Sequence, residues 1–121
     1  MTKPTLRLAG IHYRGDPPPT WPLAAYADLP VGADGVAVYA LEDKTGNWED
    51  GLPMRQHFRQ GSSATINGVI IWGWDGNREA PTLEPSYAWN KDAMNPQWPY
   101  VHLYLRKGRI EEDSGNVQVN Q

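Results

Sequence analysis

Apolar residues in this chain fall into short runs, each closed by glycine, proline or small polar residues, which is the signature of many short strands. Leu6 to Tyr13 predicts a strand that stops at Gly15-Asp16-Pro17-Pro18-Pro19, a segment no sheet interior accepts. Gly35 to Leu41 carries apolar side chains on both parities, Val36 and Val38 against Tyr39 and Leu41, and so predicts a central strand covered on both faces. Gly68 to Trp74 has the same two-sided character, and the Asn67-Gly68 turn signal before it pairs it with Ser63 to Ile66. Ser86 to Asn90, Tyr100 to Lys107, Arg109 to Glu112 and Val117 to Val119 complete the strands, with Lys107-Gly108 as a two-residue reversal.

Three segments are less determined. Trp21 to Tyr26 permits a helical turn between flanking prolines, and Met54 to Gln60 fits either one helical turn or an edge strand. Lys44 to Leu52 is rich in turn-formers and reads as an exposed loop. The sum is a mainly β chain: a compact antiparallel β-sandwich or partly open barrel with long Pro/Gly-rich loops and at most one short helix. At 121 residues it is expected to form a single β-rich domain, with the polar tail 114–121 frayed.

Composition narrows the partners. Six Trp and six Tyr against one Phe mean that much of the apolar surface carries an N–H or O–H in need of an acceptor. Trp21, Trp48, Trp89 and Trp98 lie in or near proline-rich or polar loops, so exposed recognition aromatics are one expectation. Net charge is −3 and the 11 Lys and Arg are scattered, which argues against a nucleic-acid partner. No run reaches membrane-spanning length and no apolar leader opens the chain, so a cytoplasmic protein without a membrane partner is expected, of a bacterium or a phage within one. With no cysteine, disulfides, thiolate metal sites and a cysteine nucleophile all drop out. His12, His57 and His102 are widely separated and Glu111-Glu112-Asp113 reads as a solvated face, so neither metal nor cofactor is expected.

Candidate chemistry concentrates between Trp72 and Ser86. Asp75-Gly76-Asn77 tolerates positive φ and predicts a sharp reversal after Trp72-Gly73-Trp74. Pro81 and Pro85 each stiffen the backbone before them, so Thr82 and Ser86 present hydroxyls from a restrained chain. If the runs on either side of the loop from Lys91 to Pro99 form a hairpin centred near Asn95, Ser86 faces Tyr104 and His102 is its diagonal neighbour on the same face. A one-residue slip would part them. Alternation agrees with that face: Val101, Leu103 and Leu105 turn to the core while His102 lies with Tyr100 and Tyr104 on the other side.

A serine hydroxyl needs a base to take its proton, histidine is the usual one, and an acid behind it fixes the tautomer. Asp113, Asp92 and Asp75 are candidates for that acid, and backbone N–H groups near Gly73 or Gly76 for stabilising an oxyanion. The plainer reading is that Ser86 satisfies a turn and His102 is solvated.

The segment from Asn67 to about Asp113 resembles a small prokaryotic and phage family often mislabelled ammonia monooxygenase. The resemblance rests on Trp72-Gly73-Trp74-Asp75-Gly76, on Pro81-Thr82-Leu83-Glu84-Pro85-Ser86, and on His102 through Arg106-Lys107-Gly108-Arg109-Ile110. Some members are encoded beside ubiquitin-like conjugation genes, which implies a processing or deconjugating peptidase with Ser86 and His102 as its catalytic pair. Members often have cysteines around the histidine, where this chain has none, and the acid they place after the Gly-Arg-Ile turn is matched by Asp113 slightly early.

The leading expectation is therefore a small serine peptidase or hydrolase. Ser86, His102 and Asp113 would be catalytic, and Thr82, Trp74, Asp75 and Tyr104 would line the substrate site. Its substrate would be a protein or peptide, such as a ubiquitin-like tail bound by strand addition at a sheet edge. The alternatives are a non-catalytic module capturing a host protein or small ligand, and a purely structural role for the tryptophan and proline motif. Oligomeric state is left open.

Overall fold

The computed structural model describes residues 3–42, 47, 52–92, 94 and 97–121. Most of the loop expected from Lys44 to Leu52, Trp48 within it, and the centre of the 91–99 loop at Asn95 and Pro96 lie outside the described residues. The chain is mainly β, and its only described helical element is a 3₁₀ turn at Ala24–Tyr26, within the segment that permitted one. Among the described residues ten strands form two sheets with no closed barrel. They are β1 (Thr5–Tyr13), β2 (Gly35–Leu41), β3 (Leu52–Gln60), β4 (Ala64–Ile66), β5 (Val69–Trp74), β6 (Leu83–Glu84), β7 (Tyr87–Trp89), β8 (Val101–Arg106), β9 (Arg109–Glu112) and β10 (Gln118–Asn120).

The larger sheet runs β10-β1-β2-β3-β5-β4 with β6 beside β5, and the smaller runs β7-β8-β9. Gly35–Leu41 is central and wholly buried, as its two-sided pattern requires. One of its faces packs on the smaller sheet: Leu6, Tyr39, Leu41, Met54 and Phe58 share a core with Tyr87, Val101, Leu103 and Leu105. The other face buries Val36 and Val38 under Trp21, Leu23, Ala27 and Leu29 of the segment that follows β1. Trp21 lies directly on Gly10, where an added Cβ would be 2.3 Å from the indole. Tyr39 donates to Gln56 Oε1 at 2.6 Å within the core, and burial pushes its phenol well above the ordinary range, so it stays neutral.

Several expectations need correction. Met54 to Gln60 is neither a helical turn nor an edge; it pairs antiparallel with β2 and parallel with β5. Met54, Gln56 and Phe58 all point inward, and the buried glutamine at the centre of that run conceals its period of two. The sheet is mixed rather than antiparallel, because β3 lies parallel to β5 and β10 parallel to β1. Residues 114–121 do not fray: Val117 is buried, Gln118 N donates to Pro4 O, and the Gln121 amide bonds both the N–H and the C=O of Ile110.

Both two-residue reversals occur where turn chemistry places them, with positive φ at Asn67 and Gly68 and at Lys107 and Gly108. The chain after Trp74 reverses more slowly than expected. Asp75 Oδ1 accepts from the N–H groups of Asn77 and Thr82, closing a broad loop before β6 returns along β5. That loop is fastened to the end of β1, since Tyr13 donates to Arg78 O while the Arg78 guanidinium lies 4.4 Å above the Tyr13 ring and bonds Asp16.

Candidate active site

The β7–β8 ladder sets the site. Tyr87 faces Leu103, Ala88 faces His102 and Trp89 faces Val101, the register that the hairpin geometry requires. Val101, Leu103 and Leu105 are fully buried, so His102 and Tyr104 are turned to the opposite face by the pleat. Ser86 lies one residue before β7 on that face. Its Oγ is 2.8 Å from His102 Nε2. Asp113 Oδ1 lies 2.5 Å from His102 Nδ1. With hydrogen on Nδ1, the ring donates to Asp113 and accepts the Ser86 O–H at Nε2, so the three groups form one chain.

The supports of each member are distinct. Ser86 follows the cis Glu84–Pro85 peptide, and its carbonyl accepts from Trp72 Nε1 at 3.2 Å. The Trp72 ring stacks on Tyr87, which fixes the chain on either side of the hydroxyl. His102 is held between a stacked Tyr100 and an edge-on Tyr104, with centroids at 6.3 and 5.3 Å. Asp113 N donates to His102 O at 3.1 Å, so the acid is tied to the backbone of the residue it orients.

Glu112 is the residue that sequence reasoning missed. Its Oε2 accepts from His102 N and Ser114 N and makes a short bond with the Ser114 hydroxyl, while its Oε1 accepts from Gly115 N. The carboxylate thus shapes the turn that delivers Asp113 to the imidazole; it is not a solvated face. Its type and position next to the acid were visible, but only the β8–β9 pairing reveals that it reaches back to His102.

Side-chain exposure differs along the chain of three: 23% for His102 and 58% for Asp113. The acid is open to water, so its field on the imidazole is screened more than that of a buried aspartate. Of the other acids considered, Asp75 is engaged in its own loop, accepting from Asn77 N and Thr82 N.

A cleft of about 710 Å³ opens over Ser86, lined by Gly61, Ser62, Ser63, Gly73, Trp74, Asp75, Thr82, Glu84, Pro85, Tyr104 and Arg106. Thr82, Trp74, Asp75 and Tyr104 all line the cleft, and three of them also have structural roles. Thr82 Oγ1 accepts from Lys107 N at 3.0 Å, and Gly108 N donates to Pro81 O, so the Pro81-Thr82 segment is strapped to the β8–β9 turn. Asp75 fastens the other end of that segment. Trp74 packs against Tyr13 and Phe58. Gly73 has a steric role here. The chain between β3 and β4 crosses the face of β5 at Gly73, where a Cβ would be 2.5 Å from Gly61 O.

Electrostatically the wall is mixed. Arg106 lies 4.2 Å from the centre of the Tyr104 ring and bonds Glu111 at 2.9 Å, while Asp75 and Glu84 form no ion pair among the described residues. Among the described residues no three His, Cys, Asp or Glu side chains are grouped to hold a metal ion. The exposed tryptophans expected in the loops are not found where described: Trp21, Trp89 and Trp98 are half-buried against the two apolar clusters. No helix is long and apolar enough to cross a membrane among the described residues.

No family model, curated protein or solved structure matches this chain.

Proposed function

We propose that this chain is a serine hydrolase of the peptidase type, with Ser86 as nucleophile, His102 as general base and acid, and Asp113 as the group that orients the imidazole. The observation that carries the reading is the continuous Ser86–His102–Asp113 hydrogen-bonded chain, with each ring nitrogen of His102 on the partner its role requires. A hydrogen bond from serine to histidine alone is common on protein surfaces. A carboxylate on the far nitrogen and a cleft over the hydroxyl make a catalytic assignment more specific.

In this reading His102 Nε2 takes the Ser86 proton as Oγ bonds to the carbonyl carbon of an amide held in the cleft. The imidazolium, facing Asp113, then returns that proton to the leaving nitrogen as the C–N bond breaks. Water repeats the sequence on the acyl-serine, releasing the acid and restoring Ser86. The cleft volume lies within the range of small-ligand sites and accommodates a short extended stretch of chain. A peptide tail, including that of a ubiquitin-like protein as the family resemblance implies, is the substrate class proposed.

A fluorophosphonate probe tests this directly. Wild type is expected to be labelled at Ser86, and the Ser86→Ala and His102→Ala variants are expected to remain unlabelled while folded. Equal labelling of wild type and Ser86→Ala, or no labelling of either, removes the proposal.

A further inference from the structure

We infer that the Tyr104 phenol is the oxyanion donor of this site, bonding the substrate's carbonyl oxygen as that atom takes on negative charge. This rests on the hydrolase reading above and adds to it the group that stabilises the tetrahedral intermediate.

The strand register places the two residues. Tyr87 is paired with Leu103 and Ala88 with His102, so Ser86, one residue earlier, lies opposite Tyr104. Side chains directly opposed on one face have Cβ atoms about 4.5–5.5 Å apart. His102 is the diagonal neighbour, and its Nε2 lies 2.8 Å from Ser86 Oγ. The cleft separates the roles of these two neighbours: Ser86 and Tyr104 both line it, whereas His102 stands outside its lining. An amide carbonyl entering from the cleft therefore approaches Oγ with the phenol, rather than the imidazole, on its own side.

The tyrosine is braced and its hydroxyl is unspent. Its ring meets His102 at 73° with centroids 5.3 Å apart, and the Arg106 guanidinium lies 4.2 Å from its centre. Held by two neighbours, the ring needs little reorganisation at the moment of reaction, which is what makes an oxyanion donor effective. The Tyr104 O–H has no hydrogen-bond partner among the described residues. Main-chain donors in the cleft wall are already engaged: Gly61 N bonds Trp74 O, Asp75 N bonds Thr82 O, and Thr82 N bonds Asp75 Oδ1. Arg106 is the one cation among the described lining residues, and its place on the Tyr104 ring sets positive charge beside the phenol.

The step balances without moving the tyrosine proton. As Ser86 Oγ bonds to the carbonyl carbon, the carbonyl π pair passes to oxygen and the Tyr104 O–H donates a hydrogen bond to it. When the C–N bond breaks, that pair re-forms the carbonyl and the hydrogen bond weakens.

Tyr104→Phe keeps both ring contacts and deletes only the O–H. On p-nitrophenyl acetate it is expected to lower kcat by about 10²-fold or more with KM preserved, the loss found for one oxyanion donor. Affinity for phenylboronic acid, which forms a tetrahedral adduct on a reactive serine, is expected to fall by a similar factor. Wild-type kcat in folded Tyr104→Phe, a loss confined to KM, or unchanged boronate affinity overturns the role of Tyr104 and leaves the hydrolase in place. A wild type that neither hydrolyses the ester nor takes the fluorophosphonate label overturns the hydrolase, and this assignment with it. Should Tyr104→Phe fail to fold, the crystal structure of the wild-type phenylboronate adduct decides. Tyr104 Oη is expected within hydrogen-bond distance of a boron-bound oxygen, and a separation beyond about 3.5 Å overturns the assignment.

Discussion

Ser86 and His102 meet one residue beyond the end of a strand ladder: His102 is paired with Ala88, and the shared pleat brings the Ser86 hydroxyl within 2.8 Å of its Nε2. The contact is diagonal, so it depends on register. Replacing Ser86 or His102 with alanine is expected to lower hydrolysis by about 10³-fold or more, since nucleophile and base act as a unit. The double variant should be scarcely slower than either single one. Rates on p-nitrophenyl acetate, with folding checked by circular dichroism, measure this.

Asp113 presents a different case because its carboxylate is largely in water. Buried triad aspartates are worth about 10⁴-fold on replacement by asparagine. The exposed Asp113 should be worth less, and Asp113→Asn is expected to reduce kcat by about 10²-fold with little change in KM. An unchanged kcat would show that the imidazole needs no acid here.

Glu112 is expected to separate positioning from chemistry. Glu112→Gln keeps the side-chain length but loses the charge that gathers the His102, Ser114 and Gly115 donors. Charge-assisted bonds of this kind are worth about 1.5–3 kcal/mol, part of which should be lost in urea unfolding. Catalysis should fall with KM preserved, and Glu112→Asp should not restore it, since the shorter arm cannot reach both His102 N and the Ser114-Gly115 turn.

Gly73 has no room for a side chain. Gly73→Ala would force the backbone of Gly61 away from β5, and overpacking of this kind costs about 1–3 kcal/mol. Because Gly61 and Ser63 also wall the cleft, loss of labelling at Ser86 should accompany the lower urea midpoint.

His57 supplies a pH dependence separate from catalysis. Burial lowers its imidazole below the ordinary 6.5, with the Asp28 carbonyl opposing and Arg55 adding to the shift. The unfolded chain then binds the proton more readily than the folded one, so this contribution is complete above about pH 6.5 and is lost as pH falls toward the depressed folded value. Urea midpoints measured from pH 7.5 to 5 should fall less steeply in His57→Gln than in wild type.

Local chemistry was enough to determine most of the strands, both two-residue turns and the relation of Ser86 to His102. Alternation fixes which face a residue occupies, and a hairpin ladder fixes what lies diagonal to it. Those rules act over neighbouring residues or across one turn, so they can be read from Val101-His102-Leu103-Tyr104-Leu105 and Ser86 alone. What tertiary structure decided depends on partners distant in the chain. The interior place of Leu52–Gln60 follows from its parallel pairing with β5, and the order of residues 118–120 from their pairing with β1. The choice of Asp113 over Asp75 and Asp92, and the bracing by Glu112 and by the Thr82 strap, likewise depend on how the loops close over β8. No periodicity encodes such contacts, because they are set by packing and hydrogen-bond satisfaction once the two sheets have met.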